Sequence, residues 1–251
     1  MRNELKRRLK AGEQTYGVWV TVESPIVTEL LSTLGFDWLV FDTEHSPLDV
    51  YQVQTLMQAM RGEGTTPIVR VVWNDVVAIK RALDIGAYGI IVPWVNNKEQ
   101  AEMAVNACRY PPEGLRGCGP RRAALCEEFT DYMRTANEEI LVIAQIETKE
   151  AVENIQEILS VDGIDVSYIG PGDLSTSYGH IGDMSHPEVE KAIDRVFNAS
   201  VAAGVATGIH TFGDKTIIDR VKKGYNFITV GEDLRFVRAG AMNILKQLNR
   251  I

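Results

Sequence analysis

The sequence predicts a single (β/α)8 barrel with parallel strands over residues 1–251, and three observations carry that expectation. Eight short runs rich in Val, Ile and Leu alternate with longer stretches of helical pattern along the chain, the alternation of a βαβ architecture. The runs are nearly continuous in apolar residues rather than alternating, as strands buried on both faces read. The competing open, doubly wound sheet would be expected to show a Gly-rich first turn. Here the first run is followed by Thr21-Val22-Glu23-Ser24, so neither a dinucleotide fingerprint nor a P-loop is present.

Taken in order, the expected strands cover 16–20, 38–42, 67–71, 89–92, 141–146, 165–169, 205–209 and 227–230. An opening helix presents Leu5 and Leu9 on one face. Ser24 can cap a helix with Pro25 in its first position and Gly35 as its stop. Asp75 can cap the stretch 76–83, closed by Gly86. Ser185 lies just before His186 and Pro187, which open a helix running towards Gly204. The segment 108–137 carries Pro111, Pro112, Gly114, Gly117 and Gly119 and reads as one long loop.

Composition narrows the partners. The net charge is −8 and 45% of the residues are hydrophobic, with a pI near 5.1. So acidic a chain lacks the basic face that nucleic acid or anionic lipid demands. No apolar run approaches the ~20 residues of a membrane span, and the basic N-terminus has no apolar segment of a secretory signal. A cytoplasmic protein with reduced, packed thiols at Cys108, Cys118 and Cys126 is the expectation.

In a parallel barrel the reactive groups gather at the C-terminal ends of the strands. Those ends carry Asp42-Thr43-Glu44-His45, then Arg70, then Gln145-Ile146-Glu147, then Gly170-Pro171-Gly172-Asp173. Glu147 and Asp173, with no nearby His or Cys ligand, suit a hard divalent ion such as Mg²⁺ or Mn²⁺. Each acid can alternatively serve as a helix cap. His45 can act as a general base or simply cap or pack. Arg70 ends an apolar strand and calls for an anion, either a substrate or a buried partner among Asp42 and Glu44. The glycine turn at 170–173 can expose backbone N–H groups to a carboxylate. The last strand carries one glycine, which favours a carboxylate substrate over a phosphorylated one. His210 would face the mouth, whereas His180 and His186 read as loop and helix-start residues. No expected strand ends in Lys, which disfavours a Schiff-base route.

These segments, with Phe36-Asp37-Trp38, Trp73-Asn74-Asp75, Tyr110-Pro111-Pro112 and Leu115-Arg116-Gly117, closely resemble the metal-dependent (class II) pyruvate aldolases. That family acts on 4-hydroxy-2-oxo acids such as 4-hydroxy-2-oxoheptanedioate, 2-dehydro-3-deoxyglucarate and 2-keto-3-deoxy-L-rhamnonate, and the resemblance runs from about Leu5 to Leu248. It implies reversible cleavage to pyruvate, or hydroxypyruvate, plus an aldehyde through a metal-bound enolate. It implies Glu147 and Asp173 as metal ligands, with Mg²⁺ or Mn²⁺ foremost and Co²⁺, Ni²⁺ or Zn²⁺ as alternatives. Arg70 would bind the keto oxygen, His45 would move protons and Asp84 would pair with that histidine. Gln145 would neighbour the metal waters, the backbone of Gly172 and Asp173 would hold the carboxylate, and Trp19 would contact substrate.

A helix through Asp84 runs ~13 Å back down the barrel, so Asp84 is expected to serve His45 of a neighbouring subunit. Homo-oligomers, commonly hexamers, follow from the resemblance. Two departures stand out. Gly172 replaces the family's usual Ala or Ser, making room for a larger donor. His210 replaces an aliphatic residue, favouring polar hydroxy-aldehydes. Oxaloacetate decarboxylation and CoA-thioester cleavage are the alternative enzymatic expectations, and a 2-oxo acid sensor is the non-catalytic one.

Overall fold

The computed structural model describes residues 1–61, 64–125 and 127–250; Cys126 lies outside them. The elements run α1 (Glu4–Lys10), β1 (Thr15–Val20), α2 (Pro25–Ser32), β2 (Trp38–Asp42), α3 (Val50–Ala59), β3 (Thr66–Arg70), α4 (Val76–Asp84), β4 (Gly89–Val92) and α5 (Lys98–Cys108). They continue with α6 (Phe129–Glu139), β5 (Leu141–Ile146), α7 (Lys149–Glu153), α8 (Ile155–Leu159), β6 (Val166–Ile169), α9 (Pro171–Ser177), α10 (Pro187–Ala203), β7 (Ala206–His210), α11 (Asp214–Lys223), β8 (Phe227–Glu232) and α12 (Asp233–Gln247). The eight strands pair in sequence order, and β8 returns to β1 to close a parallel barrel. This is the (β/α)8 architecture.

The helix ends obey local chemistry. Ser24 accepts from Val27 N ahead of Pro25, and Asp75 accepts from the N–H groups of Val77 and Ala78, satisfying donors that the first turn leaves orphaned. The helix begun by Pro25 stops at Ser32, two residues short of the turn that places Gly35 at φ +86°. At α10 the cap is the His186 ring, whose Nδ1 accepts from Glu188 N, and Gly204 closes it in the left-handed conformation. The segment 108–137 departs from the expected loop: Cys108 ends α5, and α6 begins at Phe129. Prolines and glycines crowd only the stretch before Phe129, and the helical residues after it were masked by that composition.

Side-chain parity organises the core. On each strand one set of alternate residues points outward into the layer under the helices, such as Val18, Phe41, Val69, Ile90 and Ile146. The other set fills the barrel, including Trp38, Val40, Ile68, Ile91, Ile143, Val166 and Phe227. Trp38 and Phe227 stack at 3.8 Å across the lower interior. Gly17 makes that possible, because a Cβ there would lie 2.0 Å from the Trp38 ring. Leu5 and Leu9 of α1 join the same interior cluster and close its lower end. Lys6 fixes this plug by donating to Asp165 Oδ2 and the Ile140 carbonyl.

Candidate active site

The inward parity that supplies apolar residues low in the barrel supplies polar ones at its upper rim. Asp42 follows Trp38 and Val40 on β2, Arg70 follows Ile68 on β3, and Gln145 follows Leu141 and Ile143 on β5. Tyr168 follows Val166 on β6, and His210 follows Gly208 on β7. These rim residues open on a cavity of about 410 Å³ whose wall includes Trp19, His45, Gly172, Asp173, Phe212 and Glu232.

Arg70 is the fixed point. Its Nε and Nη2 donate to the two oxygens of Asp42 at 2.9 and 2.8 Å, and Nη1 lies 2.9 Å from Glu44 Oε2. The guanidinium also stands over the Trp19 ring, 4.2 Å from its centre. Burial works against its charge, yet the bond to Asp42 and the fields of Asp42, Glu44 and Glu147 outweigh it and raise its pKa. Two of its five N–H groups are spent on Asp42, while Nη1 pairs with Glu44 through charge without a hydrogen bond, which leaves three N–H groups for ligand oxygen.

Glu147 follows β5 and is buried. Its Oε1 accepts from Trp94 N at 2.8 Å, and its Oε2 accepts from Gln145 Nε2. Trp94 has φ +54°, a left-handed backbone that a bulky residue adopts only under constraint. That conformation aims its N–H at the carboxylate. Burial pushes Glu147 up to about 7, against those two bonds, and the nearby Glu44 and Asp173 add to the rise. Glu44 is likewise pushed up to about 7, first by burial and then by Asp42 and Asp173, with Arg70 opposing. Four carboxylates thus crowd one rim, and Arg70 is the cation beside Asp42, Glu44 and Glu147.

Neither acid is a helix cap. Gly170 caps α9 and places Asp173 inside the first turn, while Thr148 caps α7 with its own hydroxyl. The N–H groups of Gly172 and Asp173 belong to that first turn and have no intrahelical acceptor. A Cβ on Gly172 would meet nothing within 4 Å.

His45 neither packs nor caps. Its side chain is 61% exposed on the cavity rim, and its Nε2 stands 3.9 Å from Glu44 Oε1. Asp84 lies elsewhere, at the end of α4, where its Oδ1 accepts from Arg116 Nη2 at 2.9 Å. It is not part of the cavity wall. His210 sits against Trp19 and Phe212 at ring distances of 5.3 and 4.6 Å. Burial, then Arg70 and Arg235, drive its pKa down to about 3 against the pull of Asp42, so its ring is neutral.

Sequence reasoning passed over Tyr168, Thr229 and Trp94. Strand parity could have found the first two, since each occupies an inward position. Nothing in the sequence marks Trp94, because its part is played by a backbone N–H. Two cysteines take different places, Cys108 buried and Cys118 exposed, so Cys118 is not the packing residue expected.

A second cluster, His180, His186 and Glu188, brings three ligand-type atoms within 4.8 Å of one another. The two imidazoles stack face to face at 3.4 Å and 19°, so their in-plane lone pairs run side by side rather than converging. His180 Nε2 already bonds Glu188 Oε2 and His186 Nδ1 caps α10. Its residues are also absent from the cavity wall.

Comparison with known proteins agrees with this geometry. Residues 15–239 match the family model described as HpcH/HpaI aldolase/citrate lyase. The chain is 39% identical over 243 residues to 5-keto-4-deoxy-D-glucarate aldolase of Escherichia coli O9:H4 (strain HS), covering 96% of this chain and 95% of the relative. A family member from Burkholderia cenocepacia J2315 superposes with a TM-score of 0.92 at 36% identity, covering 98% and 99% of the two chains. An HpcH/HpaI aldolase from Desulfitobacterium hafniense DCB-2 does so at 0.91 and 29%, covering 98% and 97%. With a barrel rim that carries Arg70 between two carboxylates and a further acidic pair beside it, the chain belongs to the HpcH/HpaI aldolase/citrate lyase family and is a carbon–carbon lyase.

Proposed function

We propose that the enzyme cleaves a 4-hydroxy-2-oxo acid reversibly to pyruvate, or hydroxypyruvate, and a polar aldehyde, with a divalent cation held by Glu147 and Asp173. The observation that carries this reading is the convergence of Arg70, Glu147 and Asp173 on one rim. The donor set fits a hard cation. It is all oxygen, it carries excess negative charge, and the amide oxygen of Gln145 is buried without a partner. Mg²⁺ or Mn²⁺ suits such donors best, with Co²⁺, Ni²⁺ and Zn²⁺ as alternatives. When bound, the cation supplies a Lewis acid for the substrate's keto oxygen.

The chain's own groups account for the rest. The N–H groups of Arg70 not bonded to Asp42 meet the oxygen on which negative charge grows as the C3–C4 bond breaks, and the bonds to Asp42 with the charge of Glu44 keep that guanidinium from turning away. The first-turn N–H groups of Gly172 and Asp173 hold the substrate carboxylate. His45, exposed at the rim, takes the C4 hydroxyl proton in cleavage and returns it in condensation. Trp19 forms the floor beneath Arg70.

The E. coli relative's name describes a six-carbon diacid. A diacid of that kind would release pyruvate and a three-carbon hydroxy-aldehyde acid, a product whose polar end His210 can meet. Asp84 is assigned to His45 of a neighbouring subunit in a homo-oligomer. The hexamer is the state we infer from the family resemblance, and the exposed His45, 3.9 Å from Glu44 Oε1, is open to such a neighbour.

The test is exchange of pyruvate methyl protons with deuterium, followed by NMR without any aldehyde. Exchange that is abolished by EDTA and restored by Mg²⁺ or Mn²⁺ supports the reading. Exchange that is absent, or indifferent to EDTA, refutes it.

A further inference from the structure

A chain of hydrogen bonds runs through the inner wall below His210. Trp19 Nε1, which can only donate, bonds Thr229 Oγ1 at 3.0 Å. Thr229 Oγ1 lies 2.6 Å from the Tyr168 hydroxyl, and that hydroxyl lies 3.1 Å from Nδ1 of His210. Thr229 is fully buried and Tyr168 very nearly so. Gly208 keeps the seat open, since a Cβ there would come within 2.9 Å of Tyr168 Cδ2.

Counting hydrogens gives the chain a direction. Thr229 has one hydroxyl hydrogen, and among the described residues Tyr168 is the acceptor the structure offers it. Tyr168, having accepted, turns its own hydrogen towards Nδ1 of His210. The reverse direction would strand the Thr229 hydrogen in the dry interior, which is disfavoured about tenfold or more. Nδ1 is therefore an acceptor, and a neutral imidazole with Nδ1 so engaged carries its hydrogen on Nε2. Nε2 sits on the opposite side of the ring from Tyr168, in a residue that lines the cavity.

We propose that Thr229 and Tyr168 are positioning residues that lock His210 in the Nε2–H tautomer, giving the cavity a fixed hydrogen-bond donor for the aldehyde-derived half of the substrate. The inference rests on the aldolase reading and adds a sign to it. An aldehyde bearing an acceptor oxygen beside its carbonyl, such as a hydroxyl or carboxylate, is favoured over one bearing hydrogen there.

The experiment has two arms. The chain contains four histidines, so ¹⁵N NMR of imidazole-labelled protein is tractable, with His210→Asn assigning the signal. The expected spectrum shows a bare Nδ1 and a protonated Nε2 at neutral pH, and in Tyr168→Phe a mixture of tautomers. In the second arm, kcat/KM for glycolaldehyde over acetaldehyde is measured with saturating pyruvate. The ratio is expected to fall about five- to tenfold in Tyr168→Phe, chiefly through KM. A hydrogen on Nδ1 in the unsubstituted protein, or an unchanged aldehyde ratio in a folded Tyr168→Phe, overturns the proposal. The spectrum needs no turnover and decides the tautomer even if that variant does not fold. Failure of the aldolase reading would appear separately, as absent exchange of pyruvate methyl protons.

Discussion

Gly170→Ala tests Glu147, the carboxylate proposed to hold the metal. Gly170 has φ −99° and ψ 88°, a negative-φ backbone at the edge of the β region and outside the left-handed region that favours glycine. The new Cβ would lie 3.0 Å from Glu147 Oε2, 3.3 Å from Glu147 Cβ and 3.3 Å from Gln145 Nε2. Glu147 must therefore yield by a few tenths of an ångström. It cannot do so freely, because Trp94 N and Gln145 hold both its oxygens. Displacing the groups that orient a ligand typically costs 10–100-fold in metal affinity. One ligand of two, moved slightly, points to the lower end, about tenfold or ~1.4 kcal/mol. Moving Glu147 strains its bonds from Trp94 N and Gln145, which offsets the roughly 0.4–1 kcal/mol that fewer unfolded conformations would otherwise contribute. The assay is titration with Mn²⁺, reading free ion by electron paramagnetic resonance, beside the melting temperature in EDTA. Weaker Mn²⁺ binding with an undiminished melting temperature is expected. Unchanged affinity would refute the assignment of Glu147, and a parallel fall in melting temperature would show that the carboxylate is merely structural.

Gly172→Ala puts its methyl into open space, so it should fold normally and use hydroxypyruvate no better than the unsubstituted enzyme; improved use would count against a role for Gly172 in admitting larger donors. His210 is uncharged in the folded protein down to about pH 3 but titrates near 6.5 when unfolded. The unfolded chain therefore binds the extra proton, and stability falls as pH drops from about 6.5 towards 3, by ~1.4 kcal/mol per pH unit at most. Melting curves of His210→Leu should show a shallower acid decline over that window, and an equal decline would remove His210 from the account. Asp84→Asn and His45→Asn should each impair catalysis, and mixed oligomers of the two should recover up to about a quarter of the sites by random assembly. No recovery would place the pair within one chain or out of the reaction.

The barrel was legible because its strands are short, apolar and separated by capped helices; Ser24, Asp75 and Gly204 end their helices as local chemistry requires. Strand ends were off by a residue or two because composition does not mark where pairing stops, as at Arg70 and Glu232. The charged members of the site were legible for a different reason: Arg70 and Glu147 are expensive at the end of an apolar run and demand partners. What stayed hidden was relational. That Asp42 and Glu44 both bind Arg70, rather than one of them, depends on how β2 meets β3. Trp94 contributes through its backbone, and Tyr168 and Thr229 read as ordinary strand residues until β6, β7 and β8 stand side by side.

The Trp38–Phe227 stack lies below the rim chemistry, and Tyr168, edge-on to Phe227 at 5.8 Å, joins the two layers. This gives the barrel a tiered design, in which the lower tier carries the cohesion and the upper the selectivity. Replacing His210 or Gly172 leaves the lower tier's interdigitation intact, so new donor and acceptor preferences can be sampled without first acquiring compensating stability. Such a scaffold can diversify by editing its uppermost ring alone.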